Sequence, residues 1–126
     1  MLRKIDAILY RVGDLERAIE FYQEMFGLRL GWLDEERQMA GLLFLESDAE
    51  IVLHCDPTLP NPDVSYLVED VIAFCASYRA AGGVVVVEPF DVRCGKYAIV
   101  RDLDGNELGV VDLTHFGGKP RYDVPV

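Results

Sequence analysis

Displaced by 56 positions, the chain overlays itself: Ile8 falls on Val64, Tyr10 on Tyr66, Val12 on Val68, Asp14 on Asp70, Leu15 on Val71, Tyr22 on Tyr78 and Gly27 on Gly83. Each half carries the same succession of signals, an alternating apolar run, an aspartate, an apolar stripe at helical spacing and a glycine. Such an internal duplication restricts the fold to two copies of one unit related by a pseudo-twofold. A cleft between two such copies is a natural place for a ligand.

The remaining bounds follow from size and charge. At 126 residues the chain is long enough for a real core and too short for a core plus a separate cofactor domain, so residues 1–126 are expected to form one domain. Its longest apolar run, Ala80 to Val87, is far short of the roughly 20 residues of a membrane helix. Met1 to Ile5 passes straight into a strand pattern without a secretory signal, so a cytoplasmic location is expected. Cys55, Cys75 and Cys94 are odd in number and lack zinc-like spacing, as expected of reduced thiols. A net charge of −10 disfavours nucleic acid, whose phosphates attract lysine and arginine.

In the first module, residues 4–55, Ile5 to Val12 reads as a strand and Asp14 as the cap of a helix with Leu15, Ala18, Ile19, Tyr22 and Phe26 on one face. Gly27 stops that helix. Strands follow at Leu28 to Leu33, Met39 to Glu46 and Glu50 to Cys55, giving βαβββ. Residues 56–62, with Pro57, Pro60 and Pro62, form a linker. The second module, residues 63–113, repeats the order: a strand at Val64 to Val68, a helix capped by Asp70 and ended by Gly82-Gly83, then strands at Val84 to Glu88, Tyr97 to Arg101 and Glu107 to Asp112. A turn at Asp104-Gly105-Asn106 joins the last two, and residues 114–126 read as a tail outside the core.

Several segments resemble the vicinal oxygen chelate superfamily, which includes glyoxalases, bleomycin-resistance proteins and extradiol dioxygenases. They are Ile5-Asp6-Ala7, Val12-Gly13-Asp14-Leu15, Phe21-Tyr22, Val68-Glu69-Asp70-Val71 and Gly95 to Asn106 with its Asp102-Leu103-Asp104-Gly105-Asn106 ending. The resemblance implies an α+β fold of paired βαβββ modules, each an open half-barrel around a shared cavity, and a homodimer. It also implies a divalent metal held by one ligand from the first and one from the last strand of each module. Those positions correspond here to Ala7, Val52, Asp63 and Gly109. Alanine, valine and glycine side chains donate no electron pair, so no cofactor is expected.

Taking the ligand positions as inward, strand alternation places Ala7, Leu9, Arg11, Glu50, Val52 and His54 on the inner face of the first module. In the second it places Asp63, Ser65, Leu67, Glu107, Gly109 and Val111 there. Polar groups converging in an apolar hollow make a small-molecule site. The candidate ligand-binding residues are therefore Arg11, Glu50, His54, Asp63, Ser65 and Glu107, joined by Arg93, Lys96 and Tyr97 from the loop that closes over the ligand in the family. The acids favour a cationic or amine-bearing ligand by Coulomb attraction.

Two functions are consistent with this reading, and no catalytic residue is singled out in either. One is a metal-independent binding protein for a small molecule. The other is a glyoxalase-, lyase- or dioxygenase-type enzyme with a divalent metal in a rearranged site built from His54, Asp63 and Glu107.

Overall fold

The structure, a computed structural model, describes residues 5–59 and 64–121. The first module runs β1 (Ala7–Arg11), α1 (Leu15–Phe26), β2 (Arg29–Asp34), β3 (Met39–Leu43) and β4 (Glu50–His54). The second repeats it as β5 (Ser65–Leu67), α2 (Val71–Ala80), β6 (Val84–Asp91), β7 (Lys96–Arg101) and β8 (Glu107–Val111), followed by a short 3-10 turn at Thr114–Phe116. The sheets have the same order, β1-β4-β3-β2 and β5-β8-β7-β6, with the first strand parallel to the last and the other pairs antiparallel. The duplicated βαβββ architecture expected of the sequence is the fold.

Local chemistry sets the helix limits. Asp14 accepts the Arg17 N–H at 3.1 Å and Asp70 accepts the Ala73 N–H at 3.0 Å, so each aspartate satisfies a donor that the first helical turn leaves open. Gly27 ends α1 in the left-handed region at φ 70°, which a side chain would disfavour. Leu15, Ala18, Ile19 and Tyr22 are buried, and the Tyr22 ring lies 6.4 Å from that of Tyr10. This contact identifies the helix-covered face of the first sheet: Tyr10 pairs with Leu53, Leu53 with Ala40 and Ile51 with Leu42, and all are buried. The equivalent layer of the second module holds Ala98, Val100, Leu108 and Val110 with Val71, Cys75 and Tyr78 of α2.

The strand limits differ most from expectation in β6 and β3. β6 continues past Glu88 through Pro89 to Asp91, because β6 is a sheet edge and Pro89 sits within a register shift between Val87 and Phe90. An edge strand tolerates a residue that cannot donate to the ladder. β3, in turn, stops at Leu43 rather than Glu46, where its pairing with β4 ends.

The chain packs as two compact units. The tip of the β7–β8 hairpin, Leu103–Asn106, belongs with the first. Asp104 Oδ1 accepts the Gly13 N–H at 2.8 Å, and Asn106 Nδ2 donates to the Arg11 carbonyl at 2.6 Å. The most specific motif of the sequence is thus a set of hydrogen-bonding groups for the backbone that follows β1.

In the second unit the organising group is Asp112, fully buried just beyond β8. Its Oδ2 accepts the Val71 N–H at 2.8 Å; its Oδ1 accepts the Lys96 N–H at 2.9 Å, the Thr114 N–H at 3.2 Å and the Thr114 hydroxyl at 2.7 Å. Burial pushes this carboxyl up, but the hydrogen bonds outweigh it and hold the pKa at about 2. One side chain thereby joins the start of α2, the start of β7 and the C-terminal turn.

Candidate functional site

The side of each sheet turned away from its helix holds candidate residues read from the sequence. In the first module the ladder β1–β4–β3 sets Ala7 beside Glu50 and Leu43, Leu9 beside Val52 and Gly41, and Arg11 beside His54 and Met39. The alternation read from the sequence therefore places Arg11, Glu50 and His54 on one face. A bulge between Leu30 and Trp32 brings Trp32 opposite Gly41, on the same face. The indole Nε1–H donates to Glu50 Oε1 at 2.5 Å, and a Cβ at residue 41 would collide with both groups. The ring thus needs a glycine beneath it.

His54 is fully buried. Its Nδ1 accepts the Asp56 N–H at 3.0 Å, while Nε2 is, among the described residues, the one buried side-chain nitrogen or oxygen without a hydrogen-bond partner. Burial pushes its pKa down; the charge of Asp56 opposes that shift and the charge of Arg11 adds to it. Arg11 Nη1 donates to the Pro57 carbonyl at 2.8 Å, which ties the segment after β4 to the end of β1.

In the second module Ser65 pairs with Gly109, Gly109 with Ile99 and Val111 with Tyr97. The Ser65 hydroxyl is 3.3 Å from that of Tyr97, and a Cβ at residue 109 would run into the Tyr97 hydroxyl and lie 3.0 Å from the Val64 carbonyl. Glu107 is exposed and pairs with Arg101 at 3.4 Å. Lys96 pairs with Asp91 at 2.8 Å, and the Arg93 guanidinium lies 4.9 Å from the centre of the Phe116 ring. Asp63 lies outside the described residues.

The metal-ligand positions implied by the resemblance can now be tested against their surroundings. Ala7 and Val52 offer no donor atom, and the space above Gly109 is taken by the Tyr97 hydroxyl. Among the described residues no three His, Cys, Asp or Glu side chains cluster as a metal site. These corners do not fit the family metal. Burial pushes the Cys55 and Cys75 thiols up, away from the reactive thiolate.

A separate groove of about 580 Å³ lies in the first unit, on the helix side, lined by Leu15, Ile19, Leu30 and Leu33 with Glu16 and Glu35 at its rim. It contains none of the candidate residues.

The sequence profile of the Glyoxalase/Bleomycin resistance protein/Dioxygenase superfamily matches residues 4–110. The chain belongs to this superfamily. It is 34% identical over 119 residues to a lactoylglutathione lyase of Haemophilus influenzae, covering 82% of this chain and 88% of that one. Among solved structures it superposes on TnmS3, an antibiotic-binding protein from Streptomyces sp. CB03234, with TM-score 0.75 and 26% identity, over 86% of this chain and 94% of that one. A glyoxalase/bleomycin resistance protein from the same Streptomyces strain superposes with TM-score 0.72 and 26% identity, over 85% and 98%. The relatives thus span named lyases and a named binding protein.

Sequence reasoning had passed over Trp32, Gly41 and Asp112. A tryptophan and a glycine on successive strands are a usable signal for a ring laid over a backbone. Asp112 left no such signal, because its partners Val71, Lys96 and Thr114 contribute mostly backbone N–H groups, which every residue but proline carries.

Proposed function

We propose that the protein is a metal-independent binder of a small organic molecule, held on the helix-free face of the sheets. The observation that supports this most is the chemistry of three corners: Ala7 and Val52 have no donor atom, and Gly109 is covered by the Tyr97 hydroxyl. A face of Leu9, Met39, Val52 and the Trp32 ring, with Arg11 and His54 at one end, suits an apolar molecule bearing a few polar atoms. The superposition on an antibiotic-binding protein supports the same reading.

The acids expected from the sequence to attract a cation are engaged within the chain: Glu50 accepts the Trp32 indole N–H and Glu107 pairs with Arg101, so only the long-range net charge of −10 remains to favour a cation. The exposed apolar side chains of β6, Val84, Val86 and Phe90, favour assembly as a homodimer. Light scattering at micromolar concentration is expected to give the dimer mass, and a monomer would overturn that part.

The rival reading, a lyase with a rearranged metal site at His54, Asp63 and Glu107, draws its support from the 34% identity to the Haemophilus influenzae lyase. Elemental analysis after chelator-free purification, with thermal-shift titration of nickel, zinc, manganese and iron, separates the two. No stoichiometric metal and no shift are expected. Tight metal binding that disappears in His54→Ala would establish the rival.

A further inference from the structure

The geometry points to His54 as the hydrogen-bond donor that recognises an acceptor oxygen of the ligand, a carbonyl or carboxylate, and not as a base or a metal ligand; this deepens the small-molecule reading and rests on it. A backbone N–H can only donate, so the Asp56 N–H on Nδ1 at 3.0 Å requires a lone pair there and puts the imidazole proton on Nε2. Nε2–H then has no lone pair to offer a metal or to take a substrate proton. Coordination through Nε2 would need the proton on Nδ1, directly facing the Asp56 N–H.

What remains is a donor without an acceptor. His54 is fully buried and Nε2 has no hydrogen-bond partner among the described residues. An unmet buried donor costs about 1–3 kcal/mol, a cost relieved when an acceptor arrives. Burial and the charge of Arg11, its neighbour in the ladder, disfavour the imidazolium. Other neighbours on its face offer little: Met39, its partner on β3, has only a thioether, a weak acceptor. An oxygen presented between His54 and Arg11 would meet one neutral donor and one positive charge, the environment that selects a carbonyl or carboxylate over an ammonium group.

Two measurements on the full chain decide this. Long-range ¹H–¹⁵N spectra of the histidine-labelled protein are expected to show His54 as the neutral Nε2–H tautomer at pH 7; the Nδ1–H tautomer or an imidazolium would overturn the assignment. Binding is then measured by calorimetry with three probes of one shape, 2-naphthamide, 2-naphthoate and 2-naphthylmethylammonium. The amide and carboxylate are expected to bind, to shift the Nε2 resonance, to lose at least about tenfold in affinity in His54→Phe and to recover in part in His54→Gln, which keeps an N–H at similar reach. Binding of those two probes that His54→Phe leaves unchanged, or a preference for the ammonium, overturns the inference while the small-molecule reading stands. Failure of all three to bind the wild type counts against the small-molecule reading and removes the ligand half of the inference, while the tautomer result still judges the donor assignment.

Discussion

Each module closes its last strand on a buried ionisable side chain, His54 at the end of β4 and Asp112 just after β8, and both are fully buried. They differ in whether their hydrogen-bonding capacity is used. Asp112 accepts bonds from Val71, Lys96 and two groups of Thr114, whereas His54 accepts one from Asp56 and its Nε2 has no partner among the described residues. Burial alone therefore does not distinguish a structural polar group from a functional one. A satisfied group holds the module together; an unsatisfied buried one calls for an explanation.

The largest test of this contrast is Asp112→Ala. It strands the Val71 and Lys96 N–H groups and is expected to cost about 3–5 kcal/mol in urea denaturation. A loss below about 1 kcal/mol would break the comparison.

Acid titration probes the same group without a mutation. A carboxyl held at about 2 against an ordinary 3.8 stabilises the fold at neutral pH, fully above its unfolded value. That contribution, about 2 kcal/mol, is expected to disappear as the pH falls from roughly 4 to 2, and to be missing from the profile of Asp112→Asn.

Gly109→Ala tests the corner covered by Tyr97, since the added methyl meets the tyrosine hydroxyl. A cost of about 1–3 kcal/mol is expected, part of it recovered in the double variant with Tyr97→Phe, which removes that hydroxyl.

The smallest effect is on the His54 side. A histidine whose folded pKa is depressed stays neutral while the unfolded chain takes up a proton, so stability falls as the pH drops below about 6.5, by at most about 1.4 kcal/mol per unit. His54→Gln is expected to flatten that slope between pH 6.5 and 5.5, as read by thermal melts at fixed ionic strength. A slope unchanged by the substitution would assign it to other groups.

Much of the fold was legible because its signals are local. Asp14 and Asp70 cap the helices they precede, Gly27 ends α1, and the period-two alternation of β1 and β4 puts Arg11, Glu50 and His54 on the face opposite Tyr10 and Leu53. The site was legible only in part. Strand alternation names the residues on a face, but it does not say which already have partners. Glu50 reads as an open acid until a bulge in β2 brings the Trp32 indole onto it, and Glu107 does so until Arg101 across the hairpin pairs with it.

By itself, the sequence determined the duplication, the order of elements, the helix limits and the absence of donor atoms at positions 7, 52 and 109. Each of these is written in residue type and short-range spacing. Only the tertiary structure decided which polar groups are satisfied: that Asp104 serves Gly13, that Asp112 serves Val71 and Lys96, and that Nε2 of His54 has no partner among the described residues. A hydrogen bond requires two atoms about 3 Å apart and aligned, and for groups distant in sequence only the folded chain brings that about.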